Sequence, residues 1–195
     1  KSTLLKILAG QAQATQGKVI VDGVDIERID PVDLRRQLGW LSHDSRLFFG
    51  TLRQNLMLGN PHASDQEMIQ ALRISGALSL VQQDAASLDR IINEGGRGLS
   101  GGQRQMVMLS RMILRQPQVV LLDEPTAAMD EQLEEHVIRQ LQGWISGRTL
   151  VLVTHRPALL KMVDRIVVLD NGRIVADGPR DEILRRATPP ATPGK

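Results

Sequence analysis

Residues 119–130 read VVLLDEPTAAMD: an aliphatic run, two adjacent carboxylates at Asp123 and Glu124, and then Pro125. Four aliphatic residues shortly after Pro117 read as a buried, central strand of a sheet covered on both faces. Pro125 has no amide to donate, so strand pairing is expected to end there. Open α/β sheets bind their ligands beyond the carboxyl ends of the strands, which is where the two carboxylates fall. An acidic surface turn would look the same if the stretch stood alone, so the rest of the chain has to decide.

Working outward, strands and helices alternate. GKVIVDGVDI (17–26) reads as a strand pair around Asp22-Gly23, and Asp30-Pro31 opens a helix through VDLRRQ. LGWLS (38–42) reads as a buried strand and HDSRLFFG (43–50) as a loop. Ser64 and Glu67 have capping-box spacing before MIQALRISGA, which predicts a helix there. After the strand at 119–123 come a helix, EQLEEHVIRQLQGW (131–144), a strand, RTLVLVT (148–154), and a hairpin, DRIVVLDNGRIVADG (164–178), turning at Asn171-Gly172. The expected fold is therefore α/β over 1–187, a mainly parallel sheet with helices on both faces, and the Pro-rich tail 188–195 is expected to be disordered.

Composition narrows the class. The 195 residues with 42% hydrophobic content can fill the core of one domain. A sequence pI near 9.4 hides a formal charge of only +2, because without Tyr or Cys little titrates between neutrality and the lysines. No nucleic-acid surface is read from it. Zero cysteines exclude disulfides and thiolate metal sites. No apolar run approaches the roughly 20 residues that a membrane-spanning helix needs.

Two further stretches carry chemistry. KSTLLKILAG (1–10) places Lys1, Ser2 and Thr3 on the first turn of a helix, the arrangement in which a phosphate-binding loop ends. There Lys reaches the phosphates and the first hydroxyl holds magnesium; alone, KST is equally an ordinary helix cap. LSGGQRQ (99–105) opens a second helix with Ser100 as N-cap and Gly101 and Gly102 leaving amides bare for an anion. At average residue usage LSGGQ arises by chance in roughly one chain of this size in several thousand, which weighs against a merely softened helix cap. With phosphates in view the carboxylates acquire roles. Asp123 can hold magnesium directly or through water, while Glu124, expected on the other face of the strand, can polarise a water.

Taken together, these residues resemble the nucleotide-binding domain of ATP-binding-cassette (ABC) transporters, a P-loop NTPase fold, over almost the whole chain. LSGGQ matches the family signature, VVLLDEP the Walker B motif with Glu124 as its catalytic residue, TAAMD the D-loop ending at Asp130, and VTHR the switch histidine, His155. GWLSHDSRLFFGTLRQNL (39–56) and INEGGRGLSGGQRQ (92–105) resemble the exporter branch, and within it the type I secretion or peptide-export ATPases. The resemblance implies a helical subdomain over about 51–115 and a chain that begins inside Walker A, with the glycine loop, the strand before it and the adenine-stacking aromatic lying upstream. Such a piece is expected to bind ATP poorly and to lack part of its core.

The resemblance also implies a mechanism. Two copies would sandwich two ATP molecules head to tail. Lys1, Ser2, Thr3 and Asp123 would hold phosphates and Mg2+, with Ser2 and Asp123 as metal ligands. Leu99, Ser100, Gly101, Gly102, Gln103 and Asp130 would line the nucleotide, Glu124 would polarise the attacking water and His155 would contact the γ-phosphate. His43 stands where the family has glutamine; it would touch nucleotide and metal, and is either a tolerated substitution or a source of altered, pH-sensitive coupling. The implied partners are a second ATPase domain and a transmembrane domain, fused upstream, with no nucleic acid, at the cytoplasmic face of a bacterial inner membrane. Two rivals remain at this point: an ABC ATPase acting on nucleic acid or ribosomes, and a regulatory module of low activity. Trp40 and Trp144 read as core residues, and His62 and His136 as solvated ones.

Overall fold

A computed structural model describes residues 1–42, 44–82 and 87–187. His43, residues 83–86 and the tail at 188–195 lie outside the described residues. The chain falls into two compact units, Ser2–His155 and a second that groups Lys1 with the residues from Arg156 onward.

In the first unit three parallel strands form a sheet in the order β3 (Leu38–Leu41), β6 (Val119–Asp123), β7 (Thr149–Val153). Trp40 is in register with Leu121, and Leu121 with Val151. Because side chains alternate along a strand, Val119 and Leu121 face one layer and Val120 and Leu122 the other. Helix α1 (Ser2–Leu8) covers the first face: Leu5 and Ala9 pack on Leu121, ringed by Leu38, Trp40 and Val151. On the opposite face Gly39, level with Val120, lies against Met112 of α6 (Gly101–Leu114). Helices on both faces are what the aliphatic run requires. Helix α7 (Glu131–Ile145) starts at Asp130, which caps it, and buries Val137, Ile138, Leu141 and Ile145, one stripe at helical spacing.

The two short hairpins form where the turn residues place them. Strands β1 (Ile20–Val21) and β2 (Val24–Asp25) join through Asp22-Gly23, with φ of 48° and 81°. In the second unit β8 (Arg165–Asp170) and β9 (Arg173–Pro179) join through Asn171-Gly172, with φ of 45° and 76°. Both pairs sit in the left-handed region that two-residue hairpin turns demand. Helix α8 (Arg180–Ala187) follows, and a fork of two 2.7 Å hydrogen bonds ties Arg165 to Asp177 across the hairpin.

Between Gly50 and Leu114 lie α2's successors: the strand pair β4 (Gly50–Thr51) and β5 (Ile91–Ile92), and the helices α3 (Leu52–Met57), α4 (Asp65–Ile74) and α5 (Ser79–Gln82), while α2 itself is Pro31–Gln37. Capping boxes open α3 at Thr51/Gln54 and α4 at Ser64/Glu67, the latter as the spacing predicts. A buried Ser75 to Ser110 hydroxyl contact of 2.7 Å joins the end of α4 to α6.

Two buried polar residues organise this region. Asn55, 1% exposed, accepts from the Phe48 amide at 3.0 Å and donates to the Phe48 carbonyl at 2.9 Å. Arg111 of α6 donates to the Asn55 carbonyl and side-chain oxygen, both at 2.9 Å, and to the Arg46 carbonyl at 3.0 Å. Its guanidinium lies 5.7 Å from the centre of the Phe48 ring, and burial pushes it below its ordinary pKa. Gly59 has to be glycine, because a Cβ there would sit 2.1 Å from the Arg111 carbonyl oxygen.

Asn55→Ala would leave the Phe48 backbone groups and one Arg111 donor unpaired, and is expected to cost about 2–4 kcal/mol by denaturant unfolding, since each unsatisfied buried polar group costs about 1–3 kcal/mol. Gly59→Ala is expected to destabilise by at least the roughly 1–3 kcal/mol typical of overpacking, because the obstacle is backbone and cannot swing away. Wild-type stability in either variant would contradict these assignments.

Candidate active site at the end of strand β6

Strand β6 ends at Asp123, whose side chain is almost fully buried. The Glu124 amide still reaches across to the Val153 carbonyl at 2.9 Å, so the ladder runs one residue past the strand before Pro125 ends it. Glu124 then adopts φ of +50°, a left-handed conformation that is uncommon for a residue other than glycine. Strand alternation was the expected reason for the two carboxylates to diverge. The structure corrects that reason: the chain turns at Glu124, and the turn sets the direction of its side chain.

Strand β7 ends level with this turn, and its next two residues hold the carboxylate. His155 Nδ1 lies 2.8 Å from Glu124 Oε1, and the Thr154 hydroxyl donates to Oε2 at 3.3 Å. With the carboxylate ionised it can only accept, so the contact requires the tautomer with hydrogen on Nδ1 and leaves Nε2 as the other nitrogen of an exposed imidazole. Of these three residues, Thr154 was missed by the sequence reading; its only signal is its place between β7 and His155.

The signature residues lie on the start of α6, next to the same turn. Ser100 and Gln103 close a capping box: the Gln103 amide donates to Ser100 Oγ at 3.1 Å, and the Ser100 amide to Gln103 Oε1 at 2.8 Å. Gln103 is thus engaged in capping, in addition to the Ser100 cap that was expected. Gly101 and Gly102 pack against the turn: a Cβ at Gly101 would lie 3.0 Å from the Ala128 Cβ, and one at Gly102 would lie 3.2 Å from the Ala128 carbonyl oxygen. Leu99 is buried, and its carbonyl accepts from Arg104 at 2.7 Å. Gln105, also missed, donates to the Glu124 carbonyl at 2.7 Å and accepts from the Ala128 amide at 3.2 Å. Asp130 accepts from the Leu133 amide at 2.8 Å as the cap of α7. Behind it Thr126 donates to the buried Glu134 carboxylate, a contact the sequence gave no sign of.

Glu124, Gln105, Ala127 and Ala128 line a cavity of about 500 Å3 that Ser42, Ser45, Arg46 and Arg104 close on other sides. The lining includes two arginines and a single carboxylate, a balance that suits a polyanionic ligand. A cavity of similar size, about 490 Å3, lies by Lys18, Glu27 and Arg35, away from every candidate catalytic residue. Ser2 is half-buried on the first turn of α1, Thr3 is exposed, and Lys1 precedes the helix as an exposed residue. Helix α1 is anchored on Leu121, two residues before Asp123. Among the described residues no three His, Asp or Glu side chains gather to hold a metal. The donor set on offer is a hydroxyl and a carboxylate, hard oxygen ligands of the kind Mg2+ accepts when phosphates complete its shell. His43 lies outside the described residues.

Comparison with known proteins gives these features a family. Cyclolysin secretion/processing ATP-binding protein CyaB of Bordetella pertussis is 37% identical over 94% of this chain and 26% of its own length. Leukotoxin translocation ATP-binding protein LktB of Mannheimia haemolytica is 35% identical over 96% of this chain and 26% of its own length. The uncharacterized ABC transporter ATP-binding protein YfiC of Bacillus subtilis is 34% identical over 95% of this chain and 31% of its own length. The chain thus spans between a quarter and a third of the curated relatives it matches. The solved structure of a bacterial Atm1-family ABC exporter with ATP bound matches with a TM-score of 0.91 and 30% identity, over 96% of this chain and 33% of that one. Residues 1–127 fit the profile of the family described as ABC transporter, and the chain belongs to that family.

Proposed function

We propose that this chain binds and hydrolyses Mg-ATP as the motor domain of an ABC exporter, with protein or peptide secretion as the process it drives. The observation that carries the reading is Glu124: a carboxylate just past the central strand, turned out of the sheet and held by His155 and Thr154. A carboxylate so held is aimed by its two neighbours, as a group that orients an attacking water has to be.

The remaining roles are those that the family resemblance implies for these positions. Lys1, Ser2 and Thr3 would hold the phosphates at the start of α1. Asp123 would hold Mg2+ together with the Ser2 hydroxyl; the ion, when bound, supplies charge neutralisation at the phosphates. His155 Nε2, the nitrogen not engaged by the Glu124 contact, would meet the γ-phosphate. Leu99 to Gln103 and Asp130 would face the nucleotide of a second copy docked head to tail, with residues 51–115 acting as the helical subdomain. Phe48, Phe49 and Leu58 are 54%, 69% and 55% exposed and line a common cavity. This apolar patch is the surface we assign to a transmembrane partner. The names of CyaB and LktB, a secretion and a translocation ATP-binding protein, support export of protein cargo from a bacterial membrane.

Glu124→Gln in the full-length protein keeps the side-chain shape and removes the basic oxygen. It is expected to lower steady-state phosphate release by about 10²- to 10⁴-fold, the usual cost of losing a general base, and to accumulate an ATP-bound dimer by size-exclusion chromatography. Hydrolysis at the parental rate would mean that Glu124 is not the base.

A further inference from the structure

Glu124 carries a left-handed backbone at φ of +50°, uncommon for a residue other than glycine. Such a residue keeps its place only where the surroundings over-determine it. Three hydrogen bonds do so here. The Glu124 amide donates to Val153 at 2.9 Å, and the Glu124 carbonyl accepts from the Ala127 amide at 3.2 Å and from Gln105 Nε2 at 2.7 Å. A carbonyl oxygen has two lone pairs, so the second and third bonds fill it. The first two bonds are backbone to backbone and available to any sequence. The third comes from a side chain, and from a different element, α6.

The Gln105 amide can be oriented only one way. Its NH2 faces a carbonyl and its Oε1 faces the Ala128 N–H at 3.2 Å; the flipped amide would set oxygen against oxygen and N–H against N–H. It therefore grips both ends of the five-residue turn that starts at Glu124. Gly101 and Gly102, one turn earlier on the same helix, let the helix approach the Ala128 end of that turn closely. The first two turns of α6 and the turn bearing Glu124 are thus locked together by packing and by one bidentate amide.

We infer that Gln105 is a positioning residue for Glu124: its side-chain amide fixes the peptide that aims the carboxylate and so ties that aim to helix α6. The inference rests on the reading of Glu124 as the group that orients water. Only a glutamine of this length at this position supplies a donor and an acceptor together. Methionine keeps the length and the helix but offers neither bond, whereas glutamate keeps the acceptor for Ala128 and sets a carboxylate oxygen against the Glu124 carbonyl.

The test measures ATP hydrolysis by the full-length protein carrying Gln105→Met, Gln105→Glu, Glu124→Gln, or Glu124→Gln combined with Gln105→Met. Both Gln105 variants are expected to lose about 10- to 100-fold in kcat with KM for ATP within twofold, the scale on which small misplacement of a reacting group acts. Adding Gln105→Met to Glu124→Gln is expected to change the residual single-turnover rate by less than twofold, because residues that act as one unit are not additive. Amide exchange at Ala128 should quicken in Gln105→Met, which reports the lost clamp without reference to activity. A parental kcat in folded Gln105→Met overturns the inference and leaves the proposed function standing, as does a fall that recurs at full size in the Glu124→Gln background. Full activity in Glu124→Gln, or none in the parent, overturns the proposed function and this inference with it.

Discussion

The end of β6 is the constraint on which the candidate site depends. The strand is hydrogen-bonded on both sides and covered on both faces, so its register is fixed by Trp40, Leu121 and Val151 and by the helices that press on them. A one-residue slip would exchange Val120 and Leu122 for Val119 and Leu121 in the two layers and carry Asp123 out of its buried position. Because the ladder continues to the Glu124 amide before the chain turns left-handed, the rigidity of the sheet passes directly into the peptide that carries the carboxylate.

Three elements then converge on that peptide. The end of β7 supplies Thr154 and His155 to the carboxylate, α6 supplies Gln105 to the backbone, and the Asp130 cap starts α7 two residues beyond Ala128. Each of these bonds contributes modestly, about 0.5–1.5 kcal/mol net between neutral groups and about 1.5–3 kcal/mol to a charged one. Their effect is geometric: together they leave Glu124 one arrangement. The signature glycines serve the same end, because Gly101 and Gly102 admit Ala128 where any side chain would hold it off. A motif whose glycines are readily explained by anion binding is here also a packing surface.

Much of the fold was legible because it is written in local signals. The aliphatic run of β6, the capping box at Ser64/Glu67, Asp30-Pro31 before α2 and the two hairpin turns each follow from a few neighbouring residues, and all are present. Motif order singles out Asp123, Glu124 and His155, and the structure brings the last two into contact. What the sequence hid is contact between segments distant along the chain. Nothing near Gln105 shows that its amide reaches Glu124, nothing near Asn55 shows Arg111, and Thr126 gives no hint of Glu134. The divergence of Asp123 and Glu124 was anticipated for the wrong reason, because alternation is a property of strands and the strand had already ended.

In the proposed function nucleotide would bind at the carboxyl end of β6, with its metal beside Asp123. Mn2+ substitutes for Mg2+ and broadens nearby amide resonances by its unpaired electrons, so titrating Mn-ATP into the isotopically labelled protein maps the site directly. The account predicts that the amides of Ser2, Asp123, Glu124 and His155 broaden first, while those of Lys18, Glu27 and Arg35 around the second cavity persist. Broadening centred on Lys18 and Glu27, with Asp123 and Glu124 unaffected, would contradict it.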